Sequence, residues 1–132
     1  MRINIISLDH QPKKTKNLLD YFSKKLSKLL SLKNGIIDLY LVDNKRMRAL
    51  NKNFRGKDKS TNVLSFRTPA GFPGLNLGEV FICPDYINKH KEDAILMLVH
   101  GVLHILGYDH EKNSDKINME REEVRLFGKL KI

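Results

Sequence analysis

Three histidines fall within eleven residues of this 132-residue chain, which has five in all, in the run His100-Gly101-Val102-Leu103-His104-Ile105-Leu106-Gly107-Tyr108-Asp109-His110. Their spacing is that of a metal centre. Ala94 to Leu106 is almost wholly apolar and free of proline, with Glu92 and Asp93 just before it, where carboxylates favour a helix start. A buried helix is therefore expected. His100 and His104, four residues apart, stand one turn apart on one face of it and can point at a single atom. Gly107 can adopt the left-handed conformation that ends a helix and reverses the chain, which lets His110 return towards the other two. A catalytic Zn²⁺ commonly takes three protein ligands and keeps its fourth position for a water whose pKa falls to ~7. The sole cysteine, Cys83, lies elsewhere in the chain, and only Asp109 and Glu111 are near enough in sequence to supply a fourth ligand, so an open site is expected. Two neutral imidazoles buried on one turn without partners would cost on the order of 1–3 kcal/mol each, a penalty that a metal removes.

The spacing matches the zinc-peptidase pattern H-E-x-x-H-x-x-G-x-x-H except at one position. Gly101 stands where that pattern carries its glutamate, the general base of peptide hydrolysis. The run H-G-x-L-H-x-L-G-Y-D-H resembles instead the signature of the YbeY endoribonucleases, bacterial factors of ribosomal RNA maturation. Further residues carry the same resemblance: Asn53, Phe54 and Arg55; Thr61 to Phe66, with Asn62 where the family usually has Asp; and Leu77-Gly78-Glu79-Val80. It extends over roughly Leu41 to Phe127.

The resemblance implies a metal-dependent hydrolase of single-stranded RNA acting in 3′-end maturation of the small-subunit ribosomal RNA and in ribosome quality control, in contact with the ribosome or ribosomal proteins. It implies one Zn²⁺ per chain held by His100, His104 and His110, although imidazoles also suit Ni²⁺, Co²⁺ and Cu²⁺. His100 and Arg55 are the expected catalytic residues, and Arg55, Lys57 and Ser65 the expected substrate contacts. An arginine suits the role because it stays charged and offers a bidentate fork to phosphate oxygens. The general base stays open among metal-activated water, Asp109, Glu79 and the RNA's own 2′-hydroxyl. Two other readings fit parts of the pattern: a zinc-dependent peptidase or amidase, which needs a carboxylate beside the metal water, and a non-catalytic ribosome-binding module with a closed, structural metal site.

Charge supports a polyanionic partner. The chain carries 24 basic and 15 acidic side chains, for a net +9. The excess sits in the front half, where residues 1–59 hold fifteen basic against five acidic side chains and residues 60–132 nine against ten. Such a surface attracts RNA through phosphate contacts and counterion release. One cysteine excludes an internal disulfide, no stretch approaches the ~18 apolar residues of a membrane span, and the first ten residues lack signal-peptide character. A cytoplasmic protein without membrane attachment is expected, of undetermined oligomeric state.

The elements that must position these residues follow from periodicity. Arg2 to Leu8 reads as a strand, and Pro12 to Leu32 as a helix with Leu18, Leu19, Phe22, Leu26, Leu29 and Leu30 on one face and lysines on the other, closed by Gly35. Ile36 to Val42 reads as a second strand, parallel to the first. Asp43 caps a short helix through Lys52 that turns Met47 and Leu50 inward. Ser60 to Phe66, with a polar lead-in, and Leu77 to Cys83 read as strands paired antiparallel across a Pro- and Gly-rich loop with Phe72 at its tip. Pro84 and Asp85 open a helical turn that is either continuous with the metal helix or broken from it. Ser114 caps a last helix with Ile117, Val124 and Phe127 inward and Glu120, Glu122 and Glu123 outward or against basic neighbours. With no repeat or linker, the expectation is one α+β domain, a mixed four-stranded sheet packed with helices and the histidine motif on a central buried helix.

Overall fold

The computed structural model describes residues 1–31, 34–108 and 113–132, with the side chain of residue 113 also left aside. Four strands, β1 (Arg2–Ser7), β2 (Ile36–Leu41), β3 (Val63–Arg67) and β4 (Asn76–Ile82), form one sheet in the order β1-β2-β4-β3. β1 and β4 each run parallel to β2, and β3 lies antiparallel to β4 at the sheet edge. The helices are α1 (Lys13–Leu30), α2 (Asn44–Arg55), α3 (Pro84–Lys89), α4 (Ala94–Ile105) and α5 (Asn113–Leu130). The expected α+β architecture with a mixed four-stranded sheet is the one adopted.

Strand alternation divides the side chains between two faces. Ile3, Ile37, Leu39, Leu41, Val80 and Ile82 point into the main core, over which α1, α4 and α5 pack together. The opposite face takes Tyr40, Leu64, Phe66 and Phe81, covered by α2 through Met47 and Leu50. Beyond α2 that face is polar: Asn4 donates to Asp38 at 3.0 Å and Asn76 to the other Asp38 oxygen at 3.3 Å.

α1 buries Leu19, Ser23 and Leu26 at i, i+4 and i+7. It ends at Ser31, which takes the left-handed conformation (φ 52°), rather than at Gly35 as expected; Gly35 instead makes the buried turn into β2. Lys25, expected on the solvent face, is half-buried and donates to the Leu130 carbonyl at 3.1 Å, tying α1 to the end of α5. Asp43 caps α2 by accepting from the Arg46 N–H, and the helix runs to Arg55, three residues past its expected end. α3 and α4 are separate helices divided by residues 90–93.

α5 packs Phe127 against the core as expected but otherwise differs in the face it buries. Its inward stripe is Met119, Leu126 and Leu130, whereas Ile117 and Val124 are 55% and 74% exposed. At 100° per residue those two lie roughly opposite Met119, so packing of the stripe against α4 turns them outward. Ser114 is the second residue of this helix rather than its cap, and the residue before the helix lies outside the described residues.

Candidate metal centre

α4 is fixed at both ends by backbone hydrogen bonds that its flanking residues supply. At the N-terminus the Asp93 carboxylate accepts from the N–H groups of Ile95 (2.8 Å) and Leu96 (3.2 Å). At the C-terminus Gly107, with φ 104°, donates to His104 O and Tyr108 donates to Leu103 O, both at 3.1 Å, the paired pattern of a Schellman cap. Between the caps Leu98, Val99, Val102 and Leu103 are fully buried, each contributing ~1.5–3 kcal/mol. A Cβ added at Gly101 would lie 2.7 Å from Val80 Cγ1 and 3.2 Å from Val63 Cγ2, so the helix rests directly on the sheet at that residue. The Ser65 hydroxyl donates to the Gly101 carbonyl at 3.0 Å and joins edge strand β3 to the helix.

His100 and His104 emerge half-buried from this fixed helix, with ring centroids 4.7 Å apart and planes at 72°. Their Nε2 atoms face each other at 3.2 Å. On the far side of the His100 ring, Nδ1 meets Glu123 Oε1 of α5 in a short contact. An ionised carboxylate only accepts, so Nδ1–H is the donor to Glu123 and Nε2 is the nitrogen turned towards His104. The 3.2 Å separation is within hydrogen-bonding reach. It is also close to the about 3.3 Å expected between two nitrogens held at 2.0–2.1 Å by one tetrahedral Zn²⁺. The two residues thus suit a zinc ion in donor type, spacing and the carboxylate behind one ring. His110 lies outside the described residues, as do Asp109 and Glu111, and among the described residues no three metal-capable side chains cluster.

Glu123 is the residue of this site that sequence reasoning did not assign to it, since the expectation was only that it lies outward or against a basic neighbour, and the neighbour is His100. A signal was present: it falls at i+4 from Met119, in the stripe continued by Leu126 and Leu130. Cys83 takes no part. It is buried on the α2 side of the sheet with its sulfur 3.3 Å from Asn44 Oδ1, and burial pushes its thiol up.

The other expected residues are distributed around β3. Val63, Ser65 and Arg67 alternate towards α4, Leu64 and Phe66 towards α2. Arg55 is the exposed last residue of α2, next to Phe54, whose ring packs 5.2 Å from that of Phe66. Lys57 follows in the exposed loop after Gly56. Arg55 and Lys57 therefore sit across the edge strand from the histidine pair. Glu79 is exposed on the α2 side too, where it hydrogen-bonds Tyr40; burial first, and the Glu79 charge second, raise the Tyr40 phenol. Asn62 keeps the hydrogen-bonding role left open to it, accepting from Val63 N–H at 2.7 Å and donating to Glu92 at 3.1 Å. Against the C-terminal turn of α4, the β3–β4 loop encloses a cavity of about 570 Å³ lined by Arg67, Thr68, Phe72, Asn76, Leu77 and Ile105.

The fold is shared with a solved protein: the solution structure of TM1509 from Thermotoga maritima superposes with a TM-score of 0.55 over 98% of this chain and 91% of that one, at 22% identity. A family model described as "Endoribonuclease YbeY" matches residues 3–131. The chain belongs to the YbeY endoribonuclease family. The match reaches almost the whole chain, farther than the Leu41 to Phe127 over which the sequence motifs resemble the family. Relatives named as YbeY endoribonucleases include one from Sulfurihydrogenibium sp., 39% identical over 128 residues and covering 88% of this chain and 84% of its own. Another, from Neorickettsia sennetsu, is 39% identical over 127 residues and covers 89% of each chain.

Proposed function

We infer that this chain is a metal-dependent endoribonuclease that cleaves single-stranded RNA, with a role in 3′-end maturation of small-subunit ribosomal RNA, in ribosome quality control and in contact with the ribosome. Family membership supports the RNA-hydrolase class. The observation that carries the metal dependence is the pair of imidazole nitrogens, His100 Nε2 and His104 Nε2, converging at 3.2 Å on a helix whose ends are both capped. His100, His104 and His110 are the residues to hold one Zn²⁺, with Ni²⁺ the nearest substitute. When bound, such an ion supplies Lewis acidity at a phosphate oxygen and lowers the pKa of water.

The remaining work falls to the chain's own cations. Arg55 offers a planar fork to phosphate, and Lys57 adds a point charge beside it. Among the described residues β3 has no strand outside it, so a flexible polyanion crossing that edge meets Arg55 and Lys57 on one side and the histidines on the other. A duplex is too stiff to follow such a turn, which supports a single-stranded substrate. Peptide hydrolysis by the glutamate mechanism is disfavoured because position 101 faces Val80 and Val63 and leaves no space for a carboxylate.

The test is to measure bound metal and the cleavage of labelled single-stranded RNA, duplex RNA and a peptide, with and without chelator. Single-stranded RNA should be cut, with loss on chelation and loss of at least ~100-fold in His104→Ala. Arg55→Ala should keep its metal and lose activity by about 10²-fold. Cleavage that survives both chelation and His104→Ala excludes the metal centre, and metal loss in Arg55→Ala assigns Arg55 to the scaffold.

A further inference from the structure

We propose that Glu123 is the positioning residue of the metal centre, holding His100 in the Nδ1–H tautomer and in the orientation that presents Nε2 to the ion, so that α5 sets metal affinity together with the histidine motif. The proposal rests on the metal-centre reading above. The capped and buried α4 backbone leaves His100 only its side-chain rotations. Glu123 removes them by engaging Nδ1, the nitrogen that is not turned towards His104.

The carboxylate is itself held in place. It sits in the inward stripe of α5 at 15% side-chain exposure, with buried Met119 and Leu126 on either side, so α5 cannot swing it away without losing core contact. Its neighbour Glu122 is engaged elsewhere, accepting from Arg125 at 2.7 and 3.0 Å, which leaves Glu123 to the imidazole. An apolar residue at position 123 would suit the stripe better by burial alone, because placing a charge there carries a desolvation cost. The bond to His100 offsets that cost and gives the carboxylate a task that packing does not supply. Carboxylates behind metal-bound imidazoles fix ring orientation and raise ligand basicity, and their removal typically costs 10–100-fold in metal affinity.

The experiment compares full-length wild type with Glu123→Ala, Glu123→Gln and Glu123→Leu. Three quantities are read: Zn²⁺ affinity by competition with a chromophoric chelator, the His100 tautomer by long-range ¹H–¹⁵N correlation on metal-free protein, and Tm of the metal-free protein. Wild type should show Nδ1–H on His100. Glu123→Ala and Glu123→Leu should populate Nε2–H and weaken zinc by about 10–100-fold. Glu123→Gln, whose amide oxygen still accepts, should keep the wild-type tautomer and fall between. Glu123→Leu keeps the packing, so its loss of affinity with an unchanged Tm separates positioning from scaffolding. Variants with a lowered Tm but the wild-type tautomer and affinity would reduce Glu123 to a helix–helix staple and overturn the proposal. Wild type that fails to bind zinc sinks the metal-centre reading, whereas equal binding by wild type and Glu123→Leu sinks only the role of Glu123.

Discussion

Gly101 shows how one residue both excludes a chemistry and makes a site possible. In sequence it appeared as the missing glutamate of a peptidase; in the fold it is the point where α4 touches the sheet, with Val80, Val63 and the Ser65 hydroxyl all within 3.3 Å of the place a Cβ would occupy. Val80 lies in the middle of the sheet and has little freedom to yield. Gly101→Ala is expected to destabilise the protein by ~1–3 kcal/mol in denaturant unfolding. Because the displaced turn carries His100 and His104, zinc affinity measured by chelator competition should fall as well; unchanged affinity would show that the turn absorbs the methyl group locally. The histidine pair was legible in sequence because i, i+4 spacing on an apolar helix leaves one geometry. Glu123 was not, because Ile117, Val124 and Phe127 point to an inward face of α5 of which only Phe127 packs on the core, the other two being 55% and 74% exposed.

Elements were legible where periodicity and caps agreed, as for Asp43 before α2 and Gly107 after α4. What periodicity could not show was which side of the sheet α2 covers, and hence that Arg55 lies across β3 from the histidines. The start of α2 is held by more than its cap. Asp9, just after β1, accepts from Arg46 Nε at 2.9 Å, from Arg46 Nη2 at 3.2 Å and from the Asp43 N–H at 3.0 Å. The Arg46 hydrogen bond is the main reason the Asp9 carboxyl lies below its ordinary value of 3.8, outweighing the opposing effect of burial. A carboxyl lowered in the folded state stabilises fully above its unfolded value and loses that contribution as pH falls through the folded one. Asp9→Asn should therefore be less stable than wild type at neutral pH by ~1 kcal/mol. The gap should close as pH drops below about 4. A gap in thermal unfolding that persists unchanged at pH 2 would place the effect in shape rather than charge.

At the scale of the whole molecule, the sheet has two unequal covers. α1, α4 and α5 bury a long list of aliphatic side chains on one face, while α2 rests through Met47 on Val42, Leu64 and Cys83 and the aromatic rings around them. The basic front half contributes to both sides, with Lys13, Lys14, Lys16, Lys24 and Lys28 exposed on α1 and Lys45, Arg48, Lys52 and Arg55 exposed on α2. The charge imbalance was plain in the composition, but its split between two opposite layers is a product of topology. Unequal burial implies unequal local stability, since a helix held by few buried contacts can open without the rest of the fold. The layer bearing Arg55 should then open and close many times while the layer bearing the histidines stays shut. Amide hydrogen exchange should report α2 protected at least about tenfold less than α4, a difference of ~1.4 kcal/mol in opening free energy. Equal protection would mean that the two layers unfold as one. With α2 the looser, a chain of RNA would be received by a part of the protein that yields and held over a part that does not.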